Sequence, residues 1–226
     1  MHVHLPKPLH GWRAFAGEVG IIVIGVLIAL GAEQGVEDIH SRAEVKETRT
    51  ALDAELAHNL AAFQGRLRIE PCVQARLDEL ERILDREPGR VPLRHALESA
   101  LTINLEFAVW DAATGEARSL IPLKPKLQYA QLYDVFRHYE RLRDRESDQW
   151  AQLTDLDLNT QLSTQEVKQA KATIKRMRRL DQLLPAYASY IERSTGPLGI
   201  QPDTNVDAPA RALMESNRAK FCSPLM

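Results

Sequence analysis

Residues 14–32 of this chain read AFAGEVGIIVIGVLIALGA, and no other stretch of the sequence is comparably apolar. As a helix rising about 1.5 Å per residue it would span about 28 Å, close to the ~30 Å hydrocarbon thickness of a bilayer. The Val, Ile and Leu side chains between Val19 and Leu30 together favour insertion by roughly 3–5 kcal/mol, whereas an acid costs about 2.5–3.5 kcal/mol only at the bilayer centre. Glu18 lies near one end of the stretch, where the cost is smaller. The uncharged run from Val19 to Ala32 also has the length of a signal-peptide core, and Ala29 and Gly31 would suit a cleavage site. An acid at the head of such a core is unusual in a cleaved signal and favours a retained anchor.

Lys7 and Arg13 precede the span with no acid beside them, while Glu33, Glu37 and Asp38 follow it. This flank predicts a cytoplasmic N-terminus, although Arg42, Lys46 and Arg49 also come soon after the span. The expected organisation is a cytoplasmic head over residues 1–13, a transmembrane helix over 14–32 and an extracytoplasmic helical domain over 33–226. With Lys7, Arg13 and Glu18 set aside, 27 Lys and Arg face 30 Asp and Glu. So even a balance argues against a general affinity for nucleic acid.

An apolar content of 44% with only 11 Gly in 226 residues points to a folded and mostly helical chain. Val45, Leu52, Leu56, Leu60, Phe63 and Leu67 recur at helical spacing, with Gly35 as a place for a bend. Pro71 either kinks this helix or opens another, and Leu77, Leu80 and Leu84 continue the stripe to a stop at Glu87-Pro88-Gly89. A short helix is expected over 92–101, and Thr114-Gly115 reads as a break. Past Pro122 and Pro125 a long amphipathic helix carries Leu127, Leu132, Phe136, Tyr139, Leu142, Trp150 and Leu153. Ser163 with Glu166 predicts a capping box for a last long helix through Val167, Ala170, Ile174, Met177, Leu180, Leu184, Tyr187 and Ile191. A Pro- and Gly-rich crossing over 196–209 and a short closing helix over 210–220 complete the chain. The fold class is therefore all-α, a transmembrane helix continuing into an antiparallel helical bundle.

The string Gly17-Glu18-Val19 followed by IIVIGVLIAL resembles the N-terminal signature of a family of uncharacterised bacterial single-span membrane proteins, in which Gly-Glu opens the span and a Gly-apolar-apolar-Ile-Ala-Leu run ends it. A second block is similar around Val109-Trp110-Asp111-Ala112-Ala113, Gly115, Ser119-Leu120-Ile121, Tyr129 and Leu132-Tyr133. Where that family usually shows Ser-Gly-Asn-Leu in a turn, this chain reads Ala117-Arg118-Ser119-Leu120. Together the blocks touch about a third of the chain. The resemblance implies a membrane-anchored helical ectodomain and no activity; together with the flanking charges, the expected location is a bacterial inner membrane with the bulk of the chain in the periplasm.

Three sets of residues are candidates for function. Glu18 in the span, with the small-residue pairs Ala16 and Gly20, and Gly25 and Ala29, would admit a partner helix. Lys168, Lys171, Lys175 and Arg178 form a basic stripe that would meet anionic lipid or an acidic partner; such a stripe is also the ordinary solvated face of a helix. Cys72 and Cys222, on the oxidising side, either pair as a disulfide or remain free thiols. His2, His4 and His10 lack the companions of a metal site, and no nucleophile motif, phosphate loop or cofactor motif is present. The aromatic residues Trp110, Phe136, Tyr139 and Trp150 would either fill a core or line an apolar pocket. The expected function is binding without catalysis or cofactor: a scaffold contacting another envelope protein or a second copy of the chain. The alternative is a ligand-sensing ectodomain, which with so short a head would signal through a partner protein.

Overall fold

The computed structural model describes residues 11–86, 97–100, 104–113, 119–158, 160–204 and 208–225. The chain divides into two units, Met1–Thr48 and Arg49–Met226. Among the described residues there is no strand. The elements are α1 (Trp12–Asp85), α2 (Ala108–Ala112), α3 (Leu123–Thr154), α4 (Thr164–Asp181), α5 (Leu184–Thr195), a 3-10 turn (Gly196–Leu198) and α6 (Ala208–Cys222).

In the first unit α1 is the one helix among the described residues long and apolar enough to cross a membrane, and none of its apolar window is buried. Ile21, Ile22, Leu27 and Ile28 are all open to the surroundings. Residues 1–10 of the expected head lie outside the described residues.

The second unit is built around the rest of α1. Leu52, Leu56, Leu60 and Phe63 pack inward together with Tyr129, Leu132, Tyr133 and Phe136 of α3. Further along, Val73, Leu77, Leu80 and Leu84 share a core cluster with Trp150 and Leu153 of α3, Ala170, Ile174 and Met177 of α4, and Phe221 and Leu225 of the C-terminal segment. Helix α3 packs against both α4 and α5. Most of the predicted stripe positions face inward, but Leu127 is exposed, Val45, Val167, Leu180 and Tyr187 are half-buried, and Leu67 is half-buried with the inward position beside it taken by Arg66.

Helix α1 passes through Gly35 and Pro71 without a break. A proline inside a helix removes one backbone bond and disfavours helical geometry at the residue before it. Pro71 is exposed, so water can reach the carbonyl it leaves unbonded. The preceding residue, Glu70, accepts hydrogen bonds from Arg66 Nη1 (2.5 Å) and from Gln74 Nε2 (2.7 Å), one helical turn away on either side. That bridge spans the weakened turn.

Two expectations are corrected. The last long helix is two helices, α4 and α5, separated at Gln182 and Leu183. Pro185 explains the break, because in a continuous helix its ring would meet the carbonyl of Asp181; it sits instead in the first turn of α5, where no donor is needed. Of the short helix expected over 92–101, residues 97–100 are not helical, and 92–96 and 101 lie outside the described residues. The break at Thr114-Gly115 also lies outside them. The capping box of α4 is present: Glu166 N–H donates to Ser163 Oγ (3.2 Å) and Ser163 N–H to Glu166 Oε2 (2.7 Å).

Candidate functional site

The span residues do not share one face. Seven and four residues separate Glu18, Gly25 and Ala29, which falls close to whole turns and sets all three on one side of α1. Gly20 lies about 140° round the helix from Gly25. Apart from their own stretch of helix, nothing lies within 4 Å of where a Cβ would stand on Gly20 or Gly25, so both backbones are open to close approach.

The basic stripe of α4 is partly spent inside the molecule. Lys171 pairs with Asp85, and Arg178 Nη2 donates to Asp78 Oδ1 (2.6 Å) and lies 2.8 Å from Glu81 Oε2, so both fasten α4 to the end of α1. Lys168 and Lys175 are exposed, with no ion pair among the described residues.

Cys72 and Cys222 are joined as a disulfide that ties α1 to the end of α6. Around it the C-terminal segment is clasped by side chains of α1. Arg76 Nη2 donates to the carbonyls of Phe221 (2.6 Å) and Ser223 (2.8 Å), and the Glu79 carboxylate accepts from Leu225 N–H at 2.9 and 3.0 Å. The Arg76 guanidinium also lies over the Phe221 ring, 5.6 Å from its centre. Burial lowers the Arg76 pKa against the pull of Glu79 and Glu98.

A second polar group receives the segment 104–112. Glu55, buried in α1, accepts from the N–H groups of Val109 (2.7 Å) and Trp110 (3.1 Å) at the start of α2 and from Tyr133 Oη (2.6 Å). Its negative charge meets the positive end of that short helix. Asn59 completes the attachment by donating to the Glu106 carbonyl and accepting from its N–H, each at 2.7 Å. Trp110 stacks on Tyr133 with 4.7 Å between ring centres, and Tyr129 Oη donates to Asp53 at 2.5 Å. Burial and the Asp53 hydrogen bond push the Tyr129 phenol up to about 12. The Val109-Trp110 and Tyr129-Tyr133 segments are thus joined through the acids of α1.

The centre of the second unit holds the densest charge. The buried Arg66 donates from Nε (3.2 Å) and Nη2 (2.8 Å) to both oxygens of Glu146 in α3, from Nη2 to Asp181 Oδ1 in α4 (2.8 Å), and from Nη1 to Glu70. Gln74 Nε2 closes the ring by donating to Asp181 Oδ2 (2.8 Å) and to Glu70. Burial opposes the arginine charge, but Glu146 and Glu70 outweigh it and raise its pKa. Burial, reinforced by Glu146 and Glu70, pushes the Asp181 carboxyl up to about 7 against Arg66 and Gln74.

This raised pKa fixes a pH dependence. Between the ordinary aspartate value of 3.8 and about 7 the folded chain holds a proton that the unfolded chain has released, so stability falls as pH rises through that window. Asp181→Asn, which keeps an oxygen for Arg66 and turns an amide NH2 toward Gln74 in place of the second oxygen, is expected to flatten the thermal stability profile between pH 5 and 8. It should gain on the order of 2 kcal/mol relative to the parent at the alkaline end.

These clusters close on themselves. Each buried carboxylate already accepts from a named donor, and the aromatic candidates are packed: Phe63 meets Tyr139 edge-on at 4.8 Å and Trp150 meets Phe221 at 5.8 Å. No group of residues able to hold a metal occurs among the described residues. The sequence patterns pointed to neither the Arg66 cluster nor the Glu55 cradle. The signal available was a charge standing in phase on an apolar stripe, as Glu146 does between Leu142 and Trp150. Compared with protein families, curated proteins and solved structures, this chain finds no match.

Proposed function

We propose that the chain is a single-span protein of a bacterial inner membrane, with its N-terminus in the cytoplasm and its helices forming an antiparallel bundle in the periplasm. It acts as a scaffold, by contact with another envelope protein or a second copy of itself, without catalysis or cofactor. The observation that carries this reading is the apolar window of α1, long enough to cross a membrane and unburied among the described residues. Supporting it are the basic residues ahead of the span, the Cys72–Cys222 disulfide, which suits an oxidising compartment, and the resemblance of the span to the single-span family. The polar clusters of the second unit support a structural role, since their groups bind one another and α1.

The test is topology and contact in intact cells. Expected are a carbonate-resistant membrane fraction, a C-terminal reporter active only outside the cytoplasm, and crosslinked species larger than the monomer. A water-soluble mature form beginning just past Gly31, or a chain that stays monomeric under crosslinking, would overturn the reading.

A further inference from the structure

Beyond the membrane-length stretch, α1 exposes two large apolar side chains, Val36 at 69% and Ile39 at 71%. They are in phase with the small residues of the span. Gly25, Ala29, Ala32, Val36, Ile39 and Ala43 follow one another at alternate steps of four and three, and all fall within an arc of about 80°. Glu18 stands one heptad before Gly25 on the same line, and Lys46, the next residue in phase, ends it.

We infer that this face docks a second copy of the chain, side by side and parallel. The inference rests on the anchored reading above, and it names the partner. Within lipid, small residues let two backbones approach, and outside it an apolar seam repeating every three and four residues drives pairing by burial. Insertion in a single orientation forces the two helices parallel. In a parallel pair with this register, Arg42 flanks the seam of one copy and faces Glu47, five residues on, in the other. Both are exposed, neither has an ion pair among the described residues, and their charges are opposite. The two-fold axis makes the contact twice, so the surface is complementary to itself. A different partner would not require one chain to carry both members of the pair.

The test uses the full chain in native membranes with one added cysteine, read as an intermolecular disulfide on a non-reducing gel. Val36→Cys, Ile39→Cys and Ala43→Cys are expected to give dimers several-fold more strongly than Gln34→Cys and Asp38→Cys, which face away from the seam. With the cysteine at Val36, Arg42→Glu or Glu47→Arg alone should lower the dimer fraction roughly threefold, the scale of two exposed ion pairs, and the two together should restore it. Equal crosslinking at every position, or swaps that fail to rescue each other, overturns the inference. If the added cysteines stay monomeric while the periplasmic domain crosslinks to a different protein, the second copy is wrong and the scaffold reading survives. If neither forms, both fall.

Discussion

Arg66→Ala is expected to destabilise the second unit by about 3–5 kcal/mol, the cost of leaving buried charge without its counter-ion. The side chain of Arg66 is 1% exposed, with those of Glu146 and Asp181 at 8% and 5%. Truncation leaves both carboxylates facing each other beside Glu70. In the full chain in detergent, thermal unfolding should begin about 10 °C earlier, at roughly 2–4 °C per kcal/mol for a domain of this size. Arg66→Lys should recover little, because one ammonium cannot reproduce the planar fork that reaches both Glu146 oxygens. Replacing Arg66, Glu146 and Asp181 together with Met, Leu and Leu should recover most of the loss, since apolar residues of similar volume often serve a buried site as well as an ion cluster does. The loss should also be smaller at pH 5 than at pH 8, because in acid Asp181 carries a proton and the uncompensated charge is less. A stability unchanged at pH 8 in the alanine variant would show that the cluster does not hold α1, α3 and α4 together.

The apolar half of this fold was legible in the sequence because it is periodic. The stripes of α1, α3 and α4, the capping box at Ser163 and the closing helix all follow from spacing. Where the sequence misled, one residue outweighed a pattern. Leu180 continues the stripe of α4, yet Pro185 ends that helix at Asp181, so Asp181 turns inward and Leu180 is only half-buried. The opposite occurs at Pro71: a residue that usually breaks a helix is carried through because Glu70 is bridged on both sides. The buried polar groups were hidden for a different reason. Helical spacing says which residues face inward, but whether an inward charge is paired depends on residues more than a hundred positions away, as Arg66 and Asp181 are. The basic stripe was legible as a pattern and ambiguous as a function, because Asp78, Glu81 and Asp85 that occupy half of it lie on another helix.

Removing the disulfide with Cys72→Ser and Cys222→Ser is expected to cost about 2–4 kcal/mol and to loosen one place in particular. The bond closes a loop with a sequence separation of 150. The loss of unfolded-state freedom alone would give up to about 5 kcal/mol, and native strain and residual structure in the unfolded chain reduce that figure. The place follows from how α6 is held. Leu213 and Met214 on its body are exposed, whereas Phe221 and Leu225 at its end are buried beside Arg76 and Glu79. Nearly all described attachment of this helix is therefore concentrated within a few residues of Cys222, and the covalent bond and the Arg76 clasp hold the same point. Losing one leaves the other, so the effects of the cysteine pair and of Arg76→Ala should be more than additive, a coupling that a double-mutant cycle reads directly. Cys222 is exposed, so a small dithiol can reach the bond in the folded protein. On reduction, limited trypsin digestion should cut first at Arg211 and Arg218 in α6, before any site in α3 or α4. A reduced protein that resists trypsin at α6 as well as the oxidised one does would mean that the clasp suffices and that the bond acts only on the unfolded chain.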